Sequence, residues 1–137
     1  MLVISDATPL NILIRSDLVH ILPALFERIV IPPTVHRELS HPSTPPQIRA
    51  WAQNPPAWLA IQAPAHTVSG GAKGQGEREA IALAQELKAD LLLADDKAAR
   101  STAASLGIPT TGTLGMLEQA AAQNLISLAD GLRRVRD

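Results

Sequence analysis

The chain has no cysteine, which removes a disulfide framework, any thiolate metal site and any thiol nucleophile, and fits a reducing compartment such as the cytoplasm. Tyrosine is absent too, and Phe26, Trp51 and Trp58 are the only aromatic side chains. Proteins that read single-stranded nucleic acid by stacking bases on aromatic platforms need more than this. Charge of one sign is also missing: 12 Lys and Arg against 13 Asp and Glu give a net charge of -1. A polyanionic partner therefore feels no overall attraction and has to be held by a local basic patch or by metal ions. No apolar run reaches the roughly 18 to 20 residues of a membrane span, and the N-terminus lacks the basic-then-apolar layout of a signal peptide. The sequence carries no G-x-S-x-G elbow and neither of the glycine-rich phosphate cradles GxxxxGK[ST] and GxGxxG.

What the chain does contain is short apolar runs that stop at acids. Leu91-Leu92-Leu93-Ala94 is too short for a helix and runs straight into Asp95 and Asp96. Such a run reads as a buried strand delivering charge to a sheet edge. Met1-Leu2-Val3-Ile4 repeats the design and reaches Asp6 two residues later. Thr8-Pro9 then reads as a hydroxyl N-cap with proline at the first helical position, opening a helix to about Ile14. Leu18, Ile21, Leu22, Leu25 and Phe26 recur at helical spacing. Residues 28–31 read as a strand stopped by Pro32-Pro33, and 34–39 as a helix carrying Glu38. The composition shifts over about 41–75, an excursion rich first in proline and then in glycine, within which 47–53 predicts a helix and 58–61 a possible edge strand. Residues 77–88 predict a strong helix, 90–94 a strand and 96–106 a helix closed by Gly107. A brief strand near 108–110, a helix over 113–123 and a last helix from about 127 complete the order, with Arg133, Arg134 and Arg136 as a basic tail. At 137 residues and 46% hydrophobic content this is one domain, 1–137, with a mainly parallel sheet of about four to five strands and helices on both faces.

Ligands of such sheets bind at the carboxyl ends of the strands, where Asp6 and Asp95 end if their strands run parallel. Each acid also has a purely structural explanation. Asp95 or Asp96 can cap the helix that follows, but one suffices, and a second adds repulsion with no structural gain unless a cation sits there. Asp6 can bond nearby backbone amides, although Thr8 already caps in this reading. Glu38 lies late in its helix, where the macrodipole disfavours a carboxylate but solvent makes it harmless. Glu77 aligns with Ile81 and Ala84 on the expected inner side, and Glu79 lies closer to Leu83 and Glu86, so Glu77 is the better inward candidate. Three or four carboxylates on one site repel severely without a cation, and oxygen-only ligation selects a hard ion, Mg²⁺ or Mn²⁺. Such ions activate water and stabilise the charged transition state of phosphodiester cleavage. Lys73, Lys97 and Arg100 are candidate phosphate holders, Arg100 standing also at i+4 to Asp96 for an ordinary helix pair. The Asp95-Asp96 pair raises a phosphoacceptor domain as an alternative, but the pair follows a late strand and not the first.

Five motifs in order then resemble the PIN-domain nucleases, in particular the prokaryotic VapC-like branch linked to toxin-antitoxin modules. They are Val3-Ile4-Ser5-Asp6-Ala7-Thr8-Pro9-Leu10, Ile31-Pro32-Pro33-Thr34-Val35-His36-Arg37-Glu38-Leu39, Gly76-Glu77-Arg78-Glu79-Ala80-Ile81, Leu92-Leu93-Ala94-Asp95-Asp96-Lys97-Ala98-Ala99-Arg100 and Gly112-Thr113-Leu114-Gly115. The resemblance implies a three-layer α/β/α fold and a Mg²⁺- or Mn²⁺-dependent endoribonuclease, commonly a homodimer restrained by an antitoxin protein. It places Asp6, Glu38, Glu77 and Asp95 on the metal-binding acids, Thr8 on the site hydroxyl, and Asp96 and Arg100 on flanking positions, with Glu79 the alternative third acid. Asn11 departs from the pattern, standing where an apolar residue commonly follows the Pro-Leu pair. A non-catalytic PIN-like module that binds a protein or RNA is the rival expectation.

Overall fold

The computed structural model describes residues 1–66 and 74–136. The elements run β1 (Val3–Ser5), α1 (Ala7–Arg15), α2 (Ile21–Phe26), β2 (Ile29–Ile31), α3 (Pro33–Leu39), α4 (Pro46–Gln53) and β3 (Leu59–Ile61). They continue with α5 (Gln75–Glu86), β4 (Leu91–Leu93), α6 (Lys97–Ser105), β5 (Thr110–Thr111), α7 (Thr113–Ala122) and α8 (Leu128–Arg136). All five strands are parallel, in the order β3-β2-β1-β4-β5.

The strands are continuously apolar because both faces of the sheet are covered. Successive side chains point to opposite faces, and the core divides accordingly. Val3, Ile29, Ile31 and Leu93 face one layer, with Leu10 and Leu13 of α1, Leu22 of α2, Ile48 of α4 and Met116 of α7. Ile4, Val30 and Leu92 face the other, against Ala80, Ile81 and Ala84 of α5 and Ala99 and Ala103 of α6. Alanines on that second layer let the two helices lie close to the sheet. The result is the expected three-layer α/β/α sandwich.

Local boundaries differ from the sequence reading where capping decides them. Asp6, with extended backbone (φ -80°, ψ 171°), is the N-cap residue of α1, and Thr8 is already inside the first turn and exposed. The strand ends at Ser5, so the turn into the helix falls on Asp6 and leaves Thr8 no capping role. Strand β5 begins at Thr110, not at 108, because Ile108 is buried against α6 and Pro109 has no N–H to give the ladder. Pro109 still accepts, from the Leu92 N–H at 2.9 Å. The proline-rich stretch is built into the domain: Ile48 and Ala52 are buried, and Trp51 packs on Trp58 with ring centroids 5.9 Å apart. The glycine-rich segment 67–73, with Lys73, lies outside the described residues.

Candidate metal centre

From β1 the chain winds outward through β2 to β3, then crosses back to β4 beside β1 and winds the other way to β5. The reversal makes the carboxyl ends of β1 and β4 a switch point, the place where open parallel sheets bind ligands. Asp6 and Asp95 follow these two strands. The register Ser5↔Leu93 and a bond from the Asp6 N–H to the Leu93 carbonyl at 3.0 Å fix the two ends side by side.

Asp6 is 3% exposed. Burial pushes its carboxyl from 3.8 up to about 7, opposed by the Ala7 N–H and reinforced by the charges of Glu77, Glu38 and Asp95. Asp6, just past β1, is thus acted on by the charges of acids on α3, on α5 and just past β4, although residues 6 and 95 are far apart in the chain. Glu38 stands near the end of α3, and its carboxyl backs onto the start of α5. There a Cβ on Gly76 would lie 2.1 Å from Glu38 Oε1, so only glycine admits this approach. Burial, Glu77 and Glu79 raise the Glu38 pKa, while the Gly76 N–H lowers it.

Asp95 is held from the opposite side. The N–H and the hydroxyl of Thr113 donate to its two carboxylate oxygens, each at 2.7 Å. A Cβ at Gly112 would come within 2.7 Å of Asp95 Oδ1 and 3.4 Å of an Arg100 nitrogen, so the carboxylate, the guanidinium and the start of α7 share one tight corner. Arg100 also reaches Thr110 Oγ1 at 3.4 Å. Asp96 does what one acid of the pair was expected to do: it caps α6, accepting from the Ala99 N–H at 2.9 Å.

The two glutamates of α5 separate, though not by burial as the helical face predicts. Glu79 is the more buried, at 8% exposure. It accepts from Thr34 Oγ1 at 2.6 Å and from Gln75 at 2.9 Å, and Arg37 donates to the same Thr34 oxygen at 2.8 Å. Glu77, half-buried, is the one whose charge bears on Asp6. Thr8 and Glu38 border an open groove between α1 and α3. Lys97 is exposed at the start of α6. His36 bonds the Ala52 carbonyl and His41 bonds Ser43, each held locally. Gly76, Gly112 and Thr113 stand inside the sequence motifs but not among the candidate site residues read from them. The available signal was a strand running through Gly-Thr into a helix, which sets an N–H and a hydroxyl at the sheet edge.

Among the described residues no three His, Asp or Glu side chains are already drawn to the spacing of one ion's ligands. The chemistry of the set nevertheless fits a divalent cation. Its donors are all oxygens, and the charge gathered around a buried carboxyl is of one sign.

This arrangement coincides with a family. The profile of the PIN domain DUF3368 matches residues 2–135. The chain belongs to the PIN-domain family. Among solved structures, this PIN domain is similar to a PilT N-terminus domain protein from the hyperthermophilic archaeon Sulfolobus solfataricus P2. The TM-score is 0.63 at 22% identity, over 88% of this chain and 93% of that one, a likeness of fold. No curated protein matches it. PIN domains are generally nucleases that use divalent metals, and among the described residues no helix is long and apolar enough to cross a membrane.

Proposed function

We propose that this PIN domain is a Mg²⁺- or Mn²⁺-dependent endoribonuclease whose ion is held by Asp6, Glu38, Glu77 and Asp95. The observation that carries the reading is the buried Asp6 carboxyl, raised to about 7 with Glu77, Glu38 and Asp95 all contributing to the rise. Like charge gathered on one desolvated group is relieved by a proton or by a cation, and a divalent ion would relieve all four carboxylates at once. When bound, the ion activates water and offsets the charge of the phosphodiester transition state. The chain's own part is positional. Thr113 fixes the Asp95 carboxylate, Gly76 and Gly112 leave the space two carboxylates fill, and Arg100 sits beside Asp95, where it can meet a phosphate oxygen. Thr8, exposed and lining the groove beside Glu38, is the hydroxyl this proposal assigns to substrate contact.

The resemblance of the five motifs extends the proposal to the wider biology. They support a VapC-like toxin, a cytoplasmic homodimer held in check by an antitoxin protein. A small DNA-binding protein encoded next to this gene is the expected companion.

A non-catalytic binding module is the competing reading, favoured by the absence of any ready three-ligand cluster among the described residues. Cleavage of mixed single-stranded RNAs in Mn²⁺, in Mg²⁺ and in chelator separates the two. The nuclease cleaves only with metal, and Asp6→Asn and Asp95→Asn lose that activity by about a hundredfold or more. Inert wild type, or variants that cleave as well as wild type, would favour the module.

A further inference from the structure

Resting on the nuclease reading, we infer that one face of α1 is the track that holds the nucleic-acid strand beside the cleavage site, with Arg15 gripping a neighbouring phosphate. Thr8, Asn11, Ile12 and Arg15 stand at i, i+3, i+4 and i+7, one stripe of the helix. That stripe forms one wall of a groove of about 440 Å³, and Glu38 and Leu39 of α3 form the other. The volume is in the range of ligand clefts, roughly 300 to 1,000 Å³. At one end the groove opens beside Glu38, whose pKa is raised by Glu77, itself among the acids acting on Asp6. At the other end stands Arg15, exposed and in no ion pair among the described residues.

The order of groups suits a phosphodiester chain. Near the acids a bound cation offsets the phosphate charge. Seven residues of helix, roughly 10 Å, carry the chain to a guanidinium that presents paired donors to phosphate oxygens. Ile12, half-buried, gives the sugar and base an apolar contact between these points, and the Asn11 amide adds a donor where the family pattern has an apolar side chain. An arginine in the last turn of a helix also complements the macrodipole, so stability alone does not distinguish the two roles.

The test reads binding and turnover on fluorescein-labelled single-stranded RNA and on DNA of the same sequence, as a function of salt. Arg15→Ala is expected to raise KM about five- to tenfold with kcat changed less than about twofold, and to make the slope of log affinity against log salt shallower by about 0.7. Arg15→Lys should restore the slope, and Asn11→Leu should raise KM to a smaller degree. Arg28→Ala, which removes the same charge at the amino end of β2, is the control and should match wild type. Equal losses on RNA and DNA are expected of a phosphate contact, and a loss confined to RNA overturns the phosphate assignment. So does an Arg15→Ala profile that matches Arg28→Ala. If wild type cleaves nothing, fluorescence anisotropy still decides: an Arg15-dependent salt slope sustains the track while the nuclease reading falls, and its absence sinks both.

Discussion

Asp6 is a carboxyl that the folded chain keeps partly protonated at neutral pH. Its pKa is 3.8 in the open chain and about 7 in the fold, so the folded state binds the proton more tightly than the unfolded one. This contribution to stability is fully present below about 4 and is lost as pH rises through about 7. Metal-free protein should therefore melt at progressively lower temperature between pH 5 and 7.5, and Asp6→Asn should flatten the decline. Above pH 7 the variant should melt about 5 °C higher, corresponding to roughly 1 to 2 kcal/mol. Thermal melts in chelator across that range check this, and a wild-type profile as flat as the variant's would contradict it. Gly112 supplies a second prediction. Its backbone (φ -103°, ψ -174°) suits alanine without strain, yet a Cβ there would sit 2.7 Å from an oxygen that Thr113 already fixes. Gly112→Ala should cost activity at least about tenfold while the melting temperature moves by a few degrees at most. Unchanged turnover would show that the placement of Asp95 does not matter. At this scale the acids were legible in the sequence, because an apolar run that ends in a carboxylate is a local pattern. Their holders were not, since Thr113 meets Asp95 from 18 residues away.

Between elements, the contact that matters most joins α3 to α5. Thr34 on α3 donates to Glu79 on α5 across 45 residues of sequence, and Gln75 and Arg37 complete the set. Because Glu38 and Glu77 ride on the same two helices, this polar clasp sets how those carboxylates face each other. On the proposed reading Glu79 is a positioning residue, and its burial reflects partners that helical spacing could not reveal. Glu79→Ala, which strands two donors, should destabilise the protein by about 1 to 3 kcal/mol in chemical denaturation. Glu79→Gln keeps an acceptor and should retain Mn²⁺ affinity within about threefold, well short of the loss expected from removing a ligand. A Gln variant that loses metal affinity as severely as Asp6→Asn would make Glu79 a ligand instead. Element order and the parallel sheet were readable from apolar run lengths and helical periodicity. The boundary of α1 was not, because Thr8-Pro9 and Asp6 offer competing starts and the end of β1 decides between them.

For the whole molecule, a net charge of -1 makes the protein a poor binder of polyanions unless cations are placed where they count. At its switch point the fold brings acids from both halves of the sheet to bear on Asp6, where a bound cation would supply the missing positive charge. In the proposed enzyme Asp6, Glu38, Glu77 and Asp95 form a single divalent-cation site. Calorimetric titration of folded, metal-free protein with Mn²⁺ at pH 7.5 tests it most directly. Wild type should bind saturably, and the affinity should weaken by about tenfold or more in both Asp6→Asn and Asp95→Asn. Equal affinity in wild type and both variants, or no binding by wild type, would contradict it.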